Sequence, residues 1–440
     1  MKEKLKLFDF TMIMVGLVIG MGIFGTASSA ANAAGTPSIY FSAWVLGGFI
    51  AICGALTYAE IGSRYPVTGG YYRIFAYAYH PSIAFSINCI ILISNAASLA
   101  GVALIGSGYI AQVLFPGAAT DPIKVAISAA AIILFYGINL LGLTISSHTQ
   151  NVLMIIKILM LLLLIGALFM PSAQADQTIK HLEPVSFLDW IKGLGVALVA
   201  VSFAYGGYQQ TINFGSEVER PAKNIPKGIF FGISIIILLY LLVNYSYYKT
   251  IGFEDMKDKT EIARLVVAKM FGPTGGNIFS IFLFLSVLAY VNVLLLSNPR
   301  VMFAMSEDGV LPSFFKKKSR GKQVFYISLT TFAALCIVIL FYAKTFDQIL
   351  SFTIFLDCFG MATSAGAIFA LRRRTKHLNG TGIYMMGAYP LFPVIFILAY
   401  TFVGVSIAIS RPMTALTGIL VLAAFMIIYF IFHRKNKETG

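Results

Sequence analysis

The chain is a succession of apolar runs, each about as long as a bilayer is thick. A helix needs roughly 20 apolar residues to cross about 30 Å of hydrocarbon, and about twelve such stretches follow one another along the 440 residues. Hydrophobic residues make up 58% of the chain and charged residues 11%, against about 25% charged in a soluble domain. A soluble surface could not stay wet with that composition, so a bilayer supplies the second apolar solvent. The spans are expected at 9–33, 39–65, 82–115, 122–141, 149–170, 188–216, 226–248, 277–305, 324–341, 346–371, 389–410 and 413–432. The first run lacks a small-residue cleavage site and continues into a glycine-rich stretch, so it reads as a true helix rather than a cleaved leader.

The net charge of +14 would suggest nucleic acid in a soluble protein. Here it is better placed in cytoplasmic loops facing anionic membrane lipid, and no nucleic-acid partner is expected. With both termini inside, about 21 of the 32 Lys and Arg residues fall on the cytoplasmic side and about 10 outside. They include Lys4 and Lys6, Arg64 and Arg73, Lys316 to Lys318, and Arg372 to Arg374. Reversing the orientation would invert the bias, and an even number of spans keeps both basic termini together. The long outside loop 249–275 carries Ile262, Leu265, Val266 and Met270 at helical spacing within 258–270. It is expected as a short amphipathic helix on the outer face. Cys53, Cys89, Cys336 and Cys358 lie far apart inside apolar runs and read as small buried hydrophobes, not a disulfide or metal framework.

Two spans contain residues that break helices. Ile19-Gly20-Met21-Gly22-Ile23-Phe24-Gly25 puts three glycines in the first, and Phe203-Ala204-Tyr205-Gly206-Gly207-Tyr208 puts an adjacent pair in the sixth. Each glycine costs about 1 kcal/mol relative to alanine in a helix. Unwound backbone at membrane depth is tolerated only where it lines a polar cavity or is buried in protein. The half-helix ends then offer N–H groups to a carboxylate and carbonyls to an ammonium, which suits a zwitterion. Either cluster alone reads as a small-residue packing contact, and Gly16 and Gly20 have the spacing of one. Interruptions in the first and sixth spans occupy corresponding places in a five-plus-five inverted repeat, and that pairing points to a transport site.

Four segments carry a family resemblance. They are Gly16 to Phe24; Tyr58-Ala59-Glu60-Ile61-Gly62 with Pro66-Val67-Thr68-Gly69-Gly70-Tyr71-Tyr72; Phe203 to Gly207 with Glu217 to Pro226; and Arg300 to Met305 with Asp308-Gly309 and Leu311-Pro312. In this order they resemble the amino acid–polyamine–organocation (APC) superfamily, and within it the bacterial relatives of the L-type amino acid transporters. The resemblance covers nearly the whole chain. It implies an all-α membrane protein of about 12 transmembrane helices with the LeuT-type 5+5 inverted repeat and broken helices 1 and 6. The first repeat would be 1–171, the second 188–371, and 386–433 would form two peripheral helices. It implies a substrate site at Val18, Ile19, Gly20, Met21 and Gly22 facing Phe203, Ala204, Tyr205, Gly206 and Gly207. The carboxylate would meet N–H groups around Gly20 to Gly22, the ammonium would meet carbonyls near Val18, Ile19, Phe203 and Gly206, and Phe203 would close over the substrate. Close relatives often have serine where this chain has Met21, so the carboxylate would depend on backbone N–H groups here. Animal L-type transporters attach a glycoprotein heavy chain through a cysteine between helices 3 and 4. Residues 116–122 contain none, so no disulfide-linked heavy chain is expected.

Lys157 lies inside the fifth span, where a lysine costs about 2.5–3.5 kcal/mol on insertion scales and is a functional candidate unless it snorkels to the interface. In the family resembled, a lysine here sits between helices 1, 5 and 8 where sodium-coupled relatives hold their ion. It would bond helix-1 carbonyls and a helix-8 hydroxyl, Ser286, giving sodium-independent exchange or proton-coupled symport. Asp357, in the tenth span, either faces the outer vestibule and influences selectivity or pairs within the bundle; Glu60 is placed to pair with Arg64 one turn on, either at an inner gate or at a capped and solvated helix end. No phosphate-binding glycine loop, His-Glu-x-x-His or Cys/His cluster appears, so neither an enzyme nor a cofactor is expected. The reading is an amino acid transporter of the inner membrane working by alternating access, with neutral amino acids favoured. A polyamine or organic-cation carrier is the alternative, and it would need more carboxylates. A channel would need a continuous polar pore.

Overall fold

The computed structural model describes residues 4–20, 22–170, 186–259, 261–319, 324–342 and 346–438, with Asp258, Tyr342, 346–354 and 432–438 given by backbone alone. Among these residues there are fifteen α-helices and no β-strand. The first half comprises α1 (Leu7–Val18), α2 (Gly22–Ala34), α3 (Pro37–Arg64), α4 (Gly70–Ala78), α5 (Pro81–Leu114), α6 (Asp121–Leu140) and α7 (Leu143–Gly166). There follow α8 (Phe187–Tyr205), α9 (Pro221–Ile251), α10 (Phe253–Asp258), α11 (Ile262–Glu307), α12 (Tyr326–Tyr342), α13 (Phe346–Arg374), α14 (Leu391–Ser410) and α15 (Pro412–Glu438). Eleven helical stretches are long and apolar enough to cross a membrane, taking Leu7–Ala34 and Phe187–Asn213 each across its break; the shorter apolar Tyr326–Phe341 completes the expected twelve.

Local chemistry explains most boundaries. α3 starts where Thr36 accepts from Ile39 N at 3.4 Å and Pro37 occupies the first turn; proline is pre-organised there and its missing N–H costs nothing. α5 starts the same way, with the His80 ring accepting from Ser82 N at 3.3 Å ahead of Pro81. α9 begins at Pro221, five residues before the expected start, with that proline at its first position and Pro226 inside the helix. α7 begins at Leu143 rather than 149. The amphipathic segment is helical, but it begins at Ile262 and continues into the next span, bending at Gly272 (φ 74). Its buried face is Ile262, Ala263, Val266 and Val267, while Leu265 is only half-buried. The helix therefore presses into neighbouring helices instead of lying on the surface. α4 was not anticipated, because its buried residues Tyr71, Tyr72, Ile74 and Phe75 sit in a link that reads as a loop.

Packing grades from centre to edge. α1, α2, α5 and the second part of α11 are buried nearly all round. α15 exposes Leu416, Leu420, Ile427 and Ile431, a face suited to hydrocarbon. The four cysteines are free.

The ion pairs that join different elements gather at one end of the bundle, and there they hold it together. The N-terminal segment pairs with the exit of the sixth span through Leu5 N to Glu217 O at 2.7 Å. Arg300 chelates Glu217, with its Nη2 2.6 Å from Oε2, and stacks on Phe214. Arg73 bridges to Glu307 at 2.7 Å and also pairs with Asp308. The Tyr429 ring of α15 lies 6.4 Å from that of His80, which brings both chain ends to this side. Deeper in, Glu60 is fully buried and accepts from Arg64 Nε at 2.6 Å, Arg372 Nε and Nη2 at 2.7 Å each, and Met386 N at 2.8 Å. The expected pair with Arg64 is present, and its burial excludes a solvated helix end. Removing one member of a buried ion pair leaves the others uncompensated and costs about 3–5 kcal/mol. Glu60→Gln is therefore expected to lower the thermal unfolding temperature of the detergent-solubilised protein markedly, whereas Asp189→Asn, in an exposed pair with Lys192 at 3.7 Å, leaves it within a degree or so.

Candidate functional site

Both breaks form where the glycines predicted them, and they cross. α1 ends at Val18, Ile19 leaves helical geometry with ψ 77, and α2 resumes at Gly22. α8 ends at Tyr205, Gly206 is extended and Gly207 takes φ 111, after which the chain tightens into a 3-10 helix over Tyr208–Asn213. Gly207 is required twice: its φ disfavours any side chain, and a Cβ there would lie 2.1 Å from Leu17 O. At the other contact, a Cβ on Gly22 would lie 2.7 Å from Ala204 Cα. The two interrupted helices thus touch backbone to backbone on both sides of their breaks.

Between them lies a small cavity. Of the residues expected at the site, Val18, Gly20, Gly22, Phe203, Gly206 and Gly207 line it. Three do not. The Ile19 carbonyl is occupied by Lys157, Ala204 packs under Gly22, and the Tyr205 ring turns away to Trp44 and Tyr240, at 5.7 and 5.2 Å between centroids. Met21 lies outside the described residues. Tyr208 is likewise turned away, its ring 6.0 Å from Tyr58. The orphan groups at a broken end are a matter of geometry: Val18 O accepts from Gly20 N at 2.8 Å and from Tyr240 OH at 3.4 Å, while the first N–H groups of α2 have no carbonyl a turn earlier to meet.

Lys157 is fully buried, and its Nζ donates to Ile19 O at 2.5 Å. An ammonium at the carbonyl end of α1 meets both an orphan acceptor and the negative end of the helix dipole. Its depth excludes snorkelling. Ser286 Oγ is buried with no hydrogen-bond partner among the described residues, so the link between Lys157 and Ser286 is not made in this conformation.

Sequence reasoning missed much of the polar wall. Asn95 and Ser98 of α5, Gln209 and Gln210 just after the Gly206-Gly207 break, Tyr290 of α11, Met361 of α13 and Tyr400 of α14 all line the cavity, where they join Asp357 of α13, a deep charge that the sequence does single out. Tyr400 comes from a helix expected to be peripheral. A signal existed for some of them: Asn95 and Ser98 are polar residues one turn apart in an apolar span, and Gln209-Gln210 adjoins the break. Ser98 Oγ and Tyr290 OH are 2.8 Å apart, Gln210 Nε2 donates to Asn95 Oδ1 at 3.0 Å, and Gly207 N donates to Gln209 Oε1 at 2.9 Å.

A model of the amino acid permease family matches residues 5–435. The chain belongs to that family. The permease is thus an all-α, multi-pass membrane transporter of the APC superfamily and not an enzyme, and its cargo is an amino acid. It is 27% identical over 442 residues to the serine/threonine exchanger SteT of Bacillus subtilis (strain 168), covering 100% of this chain and 98% of the relative. To the Asc-type amino acid transporter 1 of Mus musculus it is 25% identical over 440 residues, covering 98% of this chain and 81% of the relative. To the branched-chain amino acid permease BcaP of Bacillus subtilis (strain 168) it is 25% identical over 460 residues, covering 100% and 95%.

The crossing of the breaks sets a test. Gly207→Ala and Gly22→Val in the permease are expected to cut amino acid uptake by at least about tenfold in reconstituted vesicles. Gly25→Ala, where a Cβ meets nothing within 4 Å, serves as the control and keeps uptake within about twofold, since one open-sided methyl adds no clash.

Proposed function

We propose that the permease is a secondary active carrier of neutral amino acids in the bacterial cytoplasmic membrane, working by alternating access around the cavity between the breaks. The observation that carries this reading is the cavity itself, bordered by the unwound ends of α1, α2 and α8. N–H groups at the start of α2 suit the substrate carboxylate, and carbonyls at the ends of α1 and α8 suit its ammonium. Leu17, Val102, Phe203 and Met361 supply apolar wall for a side chain. The relatives, a serine/threonine exchanger and a branched-chain permease among them, agree with neutral cargo. The basic end, with both termini, is assigned to the cytoplasm on the Lys/Arg bias, and Phe203 to closing over the substrate. The two breaks are assigned to repeats at 1–171 and 188–371, with 386–433 outside them. With no cysteine at 116–122, the permease is taken to work without a disulfide-linked heavy chain.

Lys157 is assigned the coupling role. Its ammonium, bonded to Ile19 O, stands where a resident cation would hold the α1 break, which favours sodium-independent exchange or proton symport. A polyamine would need several carboxylates, and the cavity wall contains one, Asp357.

Purified permease in liposomes tests this. Uptake of labelled neutral amino acids is expected in sodium-free buffer; strict sodium dependence, or uptake of polyamines alone, would sink the reading. Uptake that needs internal amino acid and ignores external pH marks an exchanger, whereas uptake into empty vesicles that rises with an inward proton gradient marks a symporter. Lys157→Gln is expected to lower the rate by at least about tenfold in either case, because the charge-assisted bond to the break is lost.

A further inference from the structure

We propose that Asp357 reads the side chain of the transported amino acid and makes the permease prefer side chains that end in a proton donor, a hydroxyl among the neutral ones, over aliphatic side chains of equal size. This rests on the amino acid carrier described above.

Asp357, Met361 and Ser364 fall on one face of α13 by their spacing. Met361 lines the cavity, and Ser364 bonds Tyr58 and Tyr71 inside the bundle, so that face points inward. Asp357 shares the cavity wall with Tyr290 and Tyr400. No Lys, Arg or His lines that cavity, and none of the ion pairs among the described residues includes Asp357. Lys157, the other deeply placed charge, is committed to Ile19 O. A carboxyl group in apolar surroundings is costly unless something donates to it.

A second unpartnered acceptor belongs to a residue of the same wall, Gln210, and its orientation follows from a chain of hydrogen bonds. Leu294 O can only accept, so Asn298 presents Nδ2 to it at 2.9 Å. Asn298 Oδ1 is then left to accept from Asn95 Nδ2 at 2.6 Å, and Asn95 Oδ1 from Gln210 Nε2 at 3.0 Å. Amide orientation is assigned from such networks, and here it leaves Gln210 Oε1 buried with no partner among the described residues. Beside Asp357 on the cavity wall, the Gln210 side chain thus keeps an acceptor with no donor among the described residues. The substrate's own carboxylate and ammonium are met by helix ends on α1, α2 and α8. α13 contributes none of those helix ends, so the part of the cargo left to meet Asp357 is the side chain.

The test is competition in proteoliposomes. Uptake of labelled alanine is challenged with threonine against its isostere valine, and with serine against 2-aminobutyrate. In the wild type the hydroxyl member of each pair is expected to inhibit at concentrations lower by on the order of tenfold or more, the value of a hydrogen bond to a charged group. In Asp357→Asn the ratio within each pair is expected to shrink toward one, whatever the absolute rate, while Asp357→Glu keeps the preference. Equal inhibition within the pairs in the wild type overturns the proposal, as does an unchanged ratio in Asp357→Asn. A uniform loss for all four competitors also overturns it, because it would put Asp357 at the shared ammonium. Thermal stabilisation of the wild type by the same four compounds gives the order of preference without any variant. Failure of the wild type to take up any labelled amino acid would instead sink the carrier reading.

Discussion

The structure turns on one backbone-to-backbone contact, the approach of Gly207 to Leu17 O. Breaking a helix within an apolar bundle strands N–H and C=O groups where water cannot reach them. Crossing two breaks packs their backbones together and brings side chains from further helices within reach of the stranded groups. Tyr240 reaches Val18 O and Lys157 reaches Ile19 O. The groups that remain border the cavity, so the same contact that makes the breaks tolerable also makes them useful.

Charge is distributed to match. Arg300 with Glu217, Arg73 with Glu307 and Asp308, and Glu60 with Arg64 and Arg372 tie one end of the bundle together. Such pairs are strong only while their geometry is complete, which suits contacts that must form as a set when one end of a carrier is shut. Among the described residues, Lys157 and Asp357 are the charges left in mid-bundle. The first is tied to the α1 break and the second stands on the cavity wall.

Much of this was legible in the residues. The positions of the spans, the two breaks, the depth of Lys157 and the Glu60–Arg64 pair each follow from patterns within a single segment: run length, glycine clustering, a charge amid apolar residues, and one-turn spacing. The failures have local causes too. The helix starting at Ile262 was set too early because periodicity shows a face but not what that face packs against. α4 was read as a loop because its buried aromatics sit among glycine and basic residues. Tyr205 and Tyr208 adjoin the break in sequence yet turn outward, to Trp44 and Tyr58.

What the sequence alone determined is therefore the set of crossing helices, which two are broken, and which charges lie too deep to be incidental, since hydrocarbon imposes those terms on each segment separately. What only the tertiary structure decided is the cavity's polar wall. Asn95, Gln210, Tyr290, Asp357 and Tyr400 come from five segments far apart in the chain. Their meeting depends on how each helix is rotated against its neighbours. That rotation is set by packing among many side chains at once, and no one segment carries a record of it.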